Sequence, residues 1–393
     1  MNIPIKPILY FLVVFSGSSS TITNKIIFST ISLGKKFTHP LLNNLIMFLA
    51  ESTGIITFNL FFKEEEKKIF ELPENIGKTP IETYILAIPA ILDLISSLFN
   101  SLSLDFLPGS LSRMFHGFSI IFTFFLSIFF LNNKHSLHNC IGIVIIIIGI
   151  FLLGLSEFTD TNNSKKESSE HLFFGIFFNI ISNFFSSLHD ISQEYFIKKQ
   201  ICHPIKCIGF EGFYGFILTF IFILISINIK CSNKFIRGKN IESSISDILI
   251  NEVCIVDEKG NSFIENVSFI WKQIINNQNI FIYYVFLFFI LIMLNYSYVG
   301  FIQISNAISR VVLTNITSLI VWIFFLIPIH NGKSYQERFK IIQFTGFLVL
   351  VFGVFFYNEL IFNKNKVSEN EIEEKITQNL GSEVNIPMSS INS

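Results

Sequence analysis

Ser309–Ile329 reads SRVVLTNITSLIVWIFFLIPI, and after Arg310 it carries no charged side chain. The preceding stretch, Asn276 to Ser309, carries none either. A helix needs roughly 20 mostly apolar residues to cross the hydrocarbon core of a bilayer. These runs are continuous, without the ten-residue alternation of barrel strands, so they predict membrane helices rather than a β-barrel. The opening of the run also has a counterpart in the first half of the chain: Ile308-Ser309-Arg310 echoes Leu111-Ser112-Arg113. Each fragment leads, after one connection, into an apolar run with glycines seven apart, Gly142 and Gly149 in one case, Gly346 and Gly353 in the other.

The same character extends through the chain. It is 51% hydrophobic and 15% charged, with mean hydropathy +0.57; a soluble domain carries about 25% charged residues. A net charge of -1 gives no basis for nucleic-acid binding. The 49 Phe, with abundant Ile, Asn and Lys, fit the codon bias of an A+T-rich genome better than a functional aromatic lining. Ten helices are expected, at approximately 7–29, 41–62, 83–104, 108–131, 137–157, 171–197, 206–229, 280–301, 307–329 and 339–360. The fold class is therefore all-α and polytopic, with ten transmembrane helices in an inverted 5+5 repeat. Its first five-helix repeat is 1–157. A polar loop at 158–170 joins it to a second repeat, 171–362, which contains a long connection at 230–279. A polar cytosolic tail, 363–393, follows.

The repeat rests on correspondences in the same order. His39-Pro40 and His203-Pro204 open the second helix of each half, and each of those helices carries one acid, Glu51 or Glu211. The Ser-Arg starts and the spaced glycines follow. An odd number of helices per copy gives the two copies opposite orientations, an architecture common in transporters. Glycines at i and i+7 share a helix face and suit close packing. Lysines such as Lys63, Lys67, Lys68, Lys134, Lys198 and Lys199 outnumber those of the opposite short loops, which places both termini in the cytosol.

Two glycosylation sequons, at Asn162 and Asn266, then face away from the cytosol. The long connection shares that side, where disulfides persist; a Cys231–Cys254 bridge and two free thiols are both open readings. Cys202 and Cys207, with no second cluster, read as ordinary thiols, and no metal pattern is present. No cofactor is expected. P-loop, HExxH and GxSxG motifs are absent, so the protein is not expected to be an enzyme.

A charge near the bilayer centre is costly, about 2.5–3.5 kcal/mol on insertion scales, so such residues face cavities or partners. Glu51 lies eleven residues past Pro40, about 16 Å along a helix rising about 1.5 Å per residue. Asp93 is similarly deep, and it aligns with Ser97 and Asn100. Arg310 heads a polar face with Asn306, Thr314 and Thr317, Arg113 shares a face with His116, and His189 aligns with Ser182, Ser186 and Gln193. The cavity candidates are Glu51, Asp93, Arg113, His116, Glu211 and Arg310. Acids and histidine suit cations or protons, and arginines suit anionic groups; His116 and Asp93 are candidate proton carriers because burial disfavours charge.

Several stretches resemble the drug/metabolite transporter superfamily (EamA-like), and within it the F subfamily of solute carrier family 35. They are His39-Pro40 with Phe48 and Glu51; Asp93; Met114-Phe115-His116-Gly117; Gln193-Glu194-Tyr195-Phe196; Glu211-Gly212; Ser309-Arg310-Val311-Val312-Leu313; and Val321-Trp322. Chloroquine-resistance-type transporters are more distantly similar. The resemblance implies a central cavity lined by helices one to four and six to nine, with the fifth and tenth bracing the outside. It implies transport by alternating access. The chain departs from the pattern at His116, where the resemblance leads one to expect arginine, and it lacks the Gly-Ala-Leu-Asn-Lys motif of nucleotide-sugar carriers.

The expected function is secondary transport of a small organic solute, with a non-transporting receptor or assembly factor on the same fold as the alternative. The expected partners are a small-molecule substrate, with or without proton coupling, the lipid bilayer and a second copy in a homodimer, with no nucleic acid. The expected location is an endomembrane compartment.

Overall fold

The computed structural model describes residues 5–64, 66, 82–107, 112, 115–132, 137–158, 169–198, 202–228, 255–256, 262–263, 265–304, 307–327 and 340–357. Arg113, Asn162, Cys231, Cys254 and Asn306, the tail at 363–393 and most of the loop at 158–170 lie outside the described residues. The helices, in chain order, are α1 (Ile5–Ser29), α2 (Pro40–Thr57, continued as a wider turn over Phe58–Phe62), α3 (Ala87–Phe106), α4 (Gly117–Leu131), α5 (Leu137–Phe158), α6 (Ser169–Lys198), α7 (Pro204–Asn228), α8 (Val267–Asn276), α9 (Asn279–Ile304), α10 (Ala307–Leu326) and α11 (Ile341–Tyr357). Pro40 and Pro204 occupy the first helical position, where the missing N–H has no helical partner to lose. Asn132 ends α4 in the left-handed conformation, which asparagine tolerates, and its N–H bonds Ser127 O.

Among the described residues, five helical stretches suffice by length and composition to cross a bilayer: Pro7–Ser29, Pro40–Phe62, Thr83–Leu104, Pro204–Ile227 and Asn279–Ile302. Gly117–Leu131, Leu137–Leu153 and Ile341–Val354 are shorter apolar helices. The polarity runs inside-out. Phe11, Phe61, Phe129, Phe151, Phe173 and Phe289 are exposed, while Glu51, Asp190, Glu211 and Arg310 are buried. Water would penalise so much contiguous exposed apolar surface, whereas lipid accepts it. The chain is a helical multi-pass membrane protein.

Three of the described helix pairs, α2–α7, α5–α11 and α3–α6, run antiparallel and meet through small residues. In α2 and α7, Gly54 lies against Gly209 and Ile205, and Glu51 against Gly212; Phe48 lies against Gly215. In α5 and α11, Gly142 meets Tyr357, Gly149 meets Leu350, Gly346 meets Leu152 and Leu153, and Gly353 meets Ile146. The seven-spaced glycines therefore all face one interface. α3 packs on α6, where Ser96 and Ser182 exchange hydroxyl-to-carbonyl bonds of 3.1 and 2.9 Å. α1 packs on α9 and α10, and α4 on α6 and α10.

Three local expectations change. The connection at 230–279 contains structure: a short hairpin, Ile255–Val256 with Ser262–Phe263, and the helix α8. Asn266 caps α8 by accepting the Phe269 N–H at 3.1 Å, and Phe269, Ile270 and Gln273 form its buried face. The loop holding Lys35 and Lys36 is also a hairpin. Its turn residues Leu33 and Gly34 both have positive φ, 54° and 74°, the geometry two-residue hairpin turns require. Cys202 and Cys207, expected as separate thiols, are joined as a disulfide. Entry into α7 at Pro204 leaves their Cα atoms 6.3 Å apart, within bridging range. In addition, Phe115 and His116 form a turn immediately before α4, inside the span 108–131 expected as one helix, while Ser112 ahead of that turn is helical.

His39 ties the hairpin side of α2 to α8. Its Nδ1 lies 2.5 Å from Glu265 Oε1 and its Nε2 2.9 Å from Gln273 Oε1, all three residues fully buried. Gln273 is held in turn by Ser32: the Ser32 hydroxyl donates to its carbonyl at 2.8 Å, and its side-chain amide donates to Ser32 O at 3.2 Å.

Candidate functional site

Six helices bring charged or amide side chains to one place. α2 contributes Glu51; α3, Asp93; α6, His189, Asp190 and Gln193; α7, Glu211; α9, Asn295 and Tyr298; α10, Arg310. Two local features set this up. The glycine face of α7 lets α2 approach to backbone contact, which carries Glu51 to the level of Glu211. The antiparallel α3–α6 pair, locked at Ser96 and Ser182, lays Asp93 opposite the turn of α6 that holds His189.

Bonds and ion pairs run from Glu211 through His189 and Gln193 to Asp190 and Arg310, and Asn295–Glu51 is a second bonded pair. His189 Nε2 is 2.5 Å from Glu211 Oε1, and Gln193 Nε2 donates to the other Glu211 oxygen at 2.8 Å. Arg310 donates to Gln193 Oε1 at 2.8 Å, pairs with Asp190 and lies over the Tyr298 ring, 5.0 Å from its centroid. His189 Nδ1 is 3.4 Å from Asp190 Oδ1. Asn295 donates to Glu51 Oε1 at 3.1 Å, while Glu51 Oε2 is buried with no hydrogen-bond partner among the described residues. Glu51 also lies in electrostatic reach of Asp93, Glu211, His189 and Arg310. Ligand atoms of Asp93, His189 and Glu211 all fall within 4.8 Å of one another. The cluster thus holds four carboxylates against one guanidinium and one imidazole.

Of the sequence candidates, Glu51, Asp93, Glu211 and Arg310 come together here. His116 Nδ1 contacts Asn183 Oδ1 at 2.7 Å. Asn183 and Asn179 continue a separate amide and hydroxyl stripe, through Ser103 and Ser112, that fastens α3 and the start of α4 to α6. Thr314 and Thr317 donate to carbonyls of their own helix, those of Val311 and Thr314, at 2.7 and 2.5 Å. His189, Asp190, Gln193 and Asn295 were outside the candidate set. His189 and Asp190 were visible as ionisable residues in an apolar run, but Asn295 had no signal in an Asn-rich chain.

A family model described as the UAA transporter family matches residues 6–256. The chain belongs to the UAA transporter family. This agrees with the drug/metabolite transporter resemblance read from His39-Pro40, Glu51 and Glu211-Gly212. The UAA-family chain is similar to solute carrier family 35 member F6 of Mus musculus, 24% identical over 327 residues, covering 82% of this chain and 79% of the relative. The Homo sapiens protein of the same name is 24% identical over 328 residues, with the same coverage. A crystal structure of a protein only 9% identical superposes with a TM-score of 0.52 over 91% of this chain and 98% of that one. That likeness concerns the fold alone. Membership in a transporter family fits a chain without a catalytic signature.

Proposed function

We propose that this UAA-family protein is a secondary transporter of a small organic solute, working by alternating access around the Glu51–Asp93–Glu211–Arg310 cluster. One observation carries the reading: a cluster of charged and amide side chains brought together inside the bundle by six otherwise apolar helices. An intramembrane charge is expensive, and a protein that needed only packing would have apolar residues there. Of the substrates the family suggests, nucleotide sugars are anionic. Four carboxylates against Arg310 and His189 disfavour them and favour a neutral or cationic solute, with protons as a candidate coupling ion.

The helix pairings support an inverted 5+5 repeat of ten spans. If α1 to α5 are exchanged with α6, α7, α9, α10 and α11, the scheme maps onto itself. The pairs α2–α7, α4–α10 and α5–α11 are each conserved, and α1 against α9 and α10 becomes α6 against α3 and α4. In this reading α8 and the His39 latch lie on the non-cytosolic face, both termini are cytosolic, and the compartment is an endomembrane one.

The test is solute uptake into proteoliposomes, with and without a pH gradient. Wild-type protein should accumulate solute, and Asp93→Asn and Arg310→Ala should lower uptake at least tenfold at equal reconstitution. Unchanged transport in both variants would remove the site assignment.

A further inference from the structure

We propose that Asp93, His189 and Glu211, with Glu51 beside them, bind a divalent first-row transition-metal ion of the Zn2+ or Mn2+ kind; the inference rests on reading this cluster as the transport site. The donors are one imidazole nitrogen and carboxylate oxygens from three helices, mutually within 4.8 Å. Ligands bonded to zinc at about 2.0–2.2 Å lie roughly 3.4 Å apart, so side-chain rotation of about 1 Å closes the site. Imidazole with carboxylates suits Zn2+, Mn2+ or Fe2+, whereas Mg2+ and Ca2+ prefer oxygen alone.

Two further features point to a cation. Glu51 is only 4% exposed, and its Oε2 has no hydrogen-bond partner among the described residues, although it stands in electrostatic reach of Asp93, His189 and Glu211. A buried carboxylate oxygen without a donor is destabilising unless a positive charge supplies one. The second feature is the orientation of His189. Its Nε2 faces Glu211, while its Nδ1 sits against Asp190, itself held by Arg310. That carboxylate lies 3.4 Å from the far ring nitrogen, in ion-pair range without a hydrogen bond, on the side from which outer-shell carboxylates orient metal-binding histidines. Gln193 fixes the second Glu211 oxygen in the same manner. With Asp190 offset by Arg310, three carboxylates remain, and a doubly charged ion balances them better than a monovalent one.

The ligands come from α3, α6 and α7, which is why no metal spacing is visible along the chain.

The experiment uses the full-length protein in nanodiscs, stripped with chelator and dialysed against Zn2+, Mn2+, Mg2+ and Ca2+, with bound metal counted by mass spectrometry. The expected result is about one Zn2+ or Mn2+ per chain, bound at least tenfold more weakly by Asp93→Asn and His189→Gln, and about tenfold more weakly by Asp190→Asn. Co2+ supplies a readout independent of affinity: His189→Cys should add a sulfur-to-cobalt charge-transfer band to the spectrum of a monodisperse sample. Metal binding no stronger than that of Ca2+, or unaltered in the variants, or a Co2+ spectrum indifferent to His189→Cys, overturns the site. Solute uptake by protein that binds no metal removes this proposal and leaves the transport reading; metal binding without uptake of any solute does the reverse.

Discussion

Replacing Gly54 with alanine tests how the charged cluster is assembled. A Cβ built on Gly54 would lie 2.8 Å from Ile205 O, 2.9 Å from Gly209 Cα and 3.0 Å from Gly209 N. All three are backbone atoms of α7, so no rotamer change relieves the contact. Carbon atoms pack best at about 3.5–4.0 Å, so the helices must part by about half an ångström or more. Overpacking of this kind destabilises by about 1–3 kcal/mol, a factor of roughly 5–150 in the folded ratio at about 1.4 kcal/mol per tenfold. Glu51 is one turn away on the same helix and would move with it, stretching the 3.1 Å bond from Asn295 and the approach to Gly212. Transport should therefore fall by more than the loss of folded protein explains. The matched control is Gly300→Ala, whose new Cβ meets nothing closer than Leu9 at 3.6 Å. Thermal inactivation of a fluorescent fusion, followed by size-exclusion chromatography in detergent, measures the stability difference, and uptake per folded molecule measures the functional one. If Gly54→Ala and Gly300→Ala have equal stability and equal uptake, the α2–α7 contact is not what holds Glu51 in place.

Arg310→Met should sharply lower the yield of monodisperse protein, because stranding one member of a buried pair costs about 3–5 kcal/mol; adding Asp190→Leu should restore yield but not uptake, as read by chromatography and proteoliposome flux. His39→Ala strands the buried Glu265 and removes a Gln273 partner, so hydrogen exchange over residues 265–276 should accelerate at least tenfold while exchange in α6 stays unchanged. Gly149→Ala forces its Cβ to within 2.7 Å of Leu350 N and should destabilise by about 1–3 kcal/mol in the same thermal assay, without changing substrate affinity, since α5 and α11 lie apart from the charged cluster. Alkylation before reduction should label the exposed Cys140 and spare Cys202 and Cys207, with labelling of those two only after reduction, by peptide mass spectrometry.

Much of the architecture was legible in the chain because membrane helices are specified locally. Each needs about 20 apolar residues, and the runs that include Pro40–Phe62, Pro204–Ile227 and Asn279–Ile302 announce themselves. The spaced glycines were legible as packing surfaces, since a shared face follows from 3.6 residues per turn. The α8 helix was legible in principle: Asn266 as a cap and Phe269, Ile270 and Gln273 as a face are ordinary helix signals. The Leu33–Gly34 turn lacked the usual Asn-Gly form and gave no comparable warning.

The site divides along the same line. The sequence by itself determined which residues are expensive in a bilayer: Glu51, Asp93, His189, Asp190, Glu211 and Arg310 each stand in an apolar run and each demand a partner. It could not say which partners they find, because helix register across an interface depends on atoms far apart in the chain. Only the tertiary structure set Glu51 against Gly212, paired Arg310 with Asp190, turned His189 between Asp190 and Glu211, and sent His116 to Asn183. The physical reason is that hydrophobic length is summed along one helix, whereas charge compensation is settled between helices, where a shift of one turn, about 5.4 Å, replaces every partner.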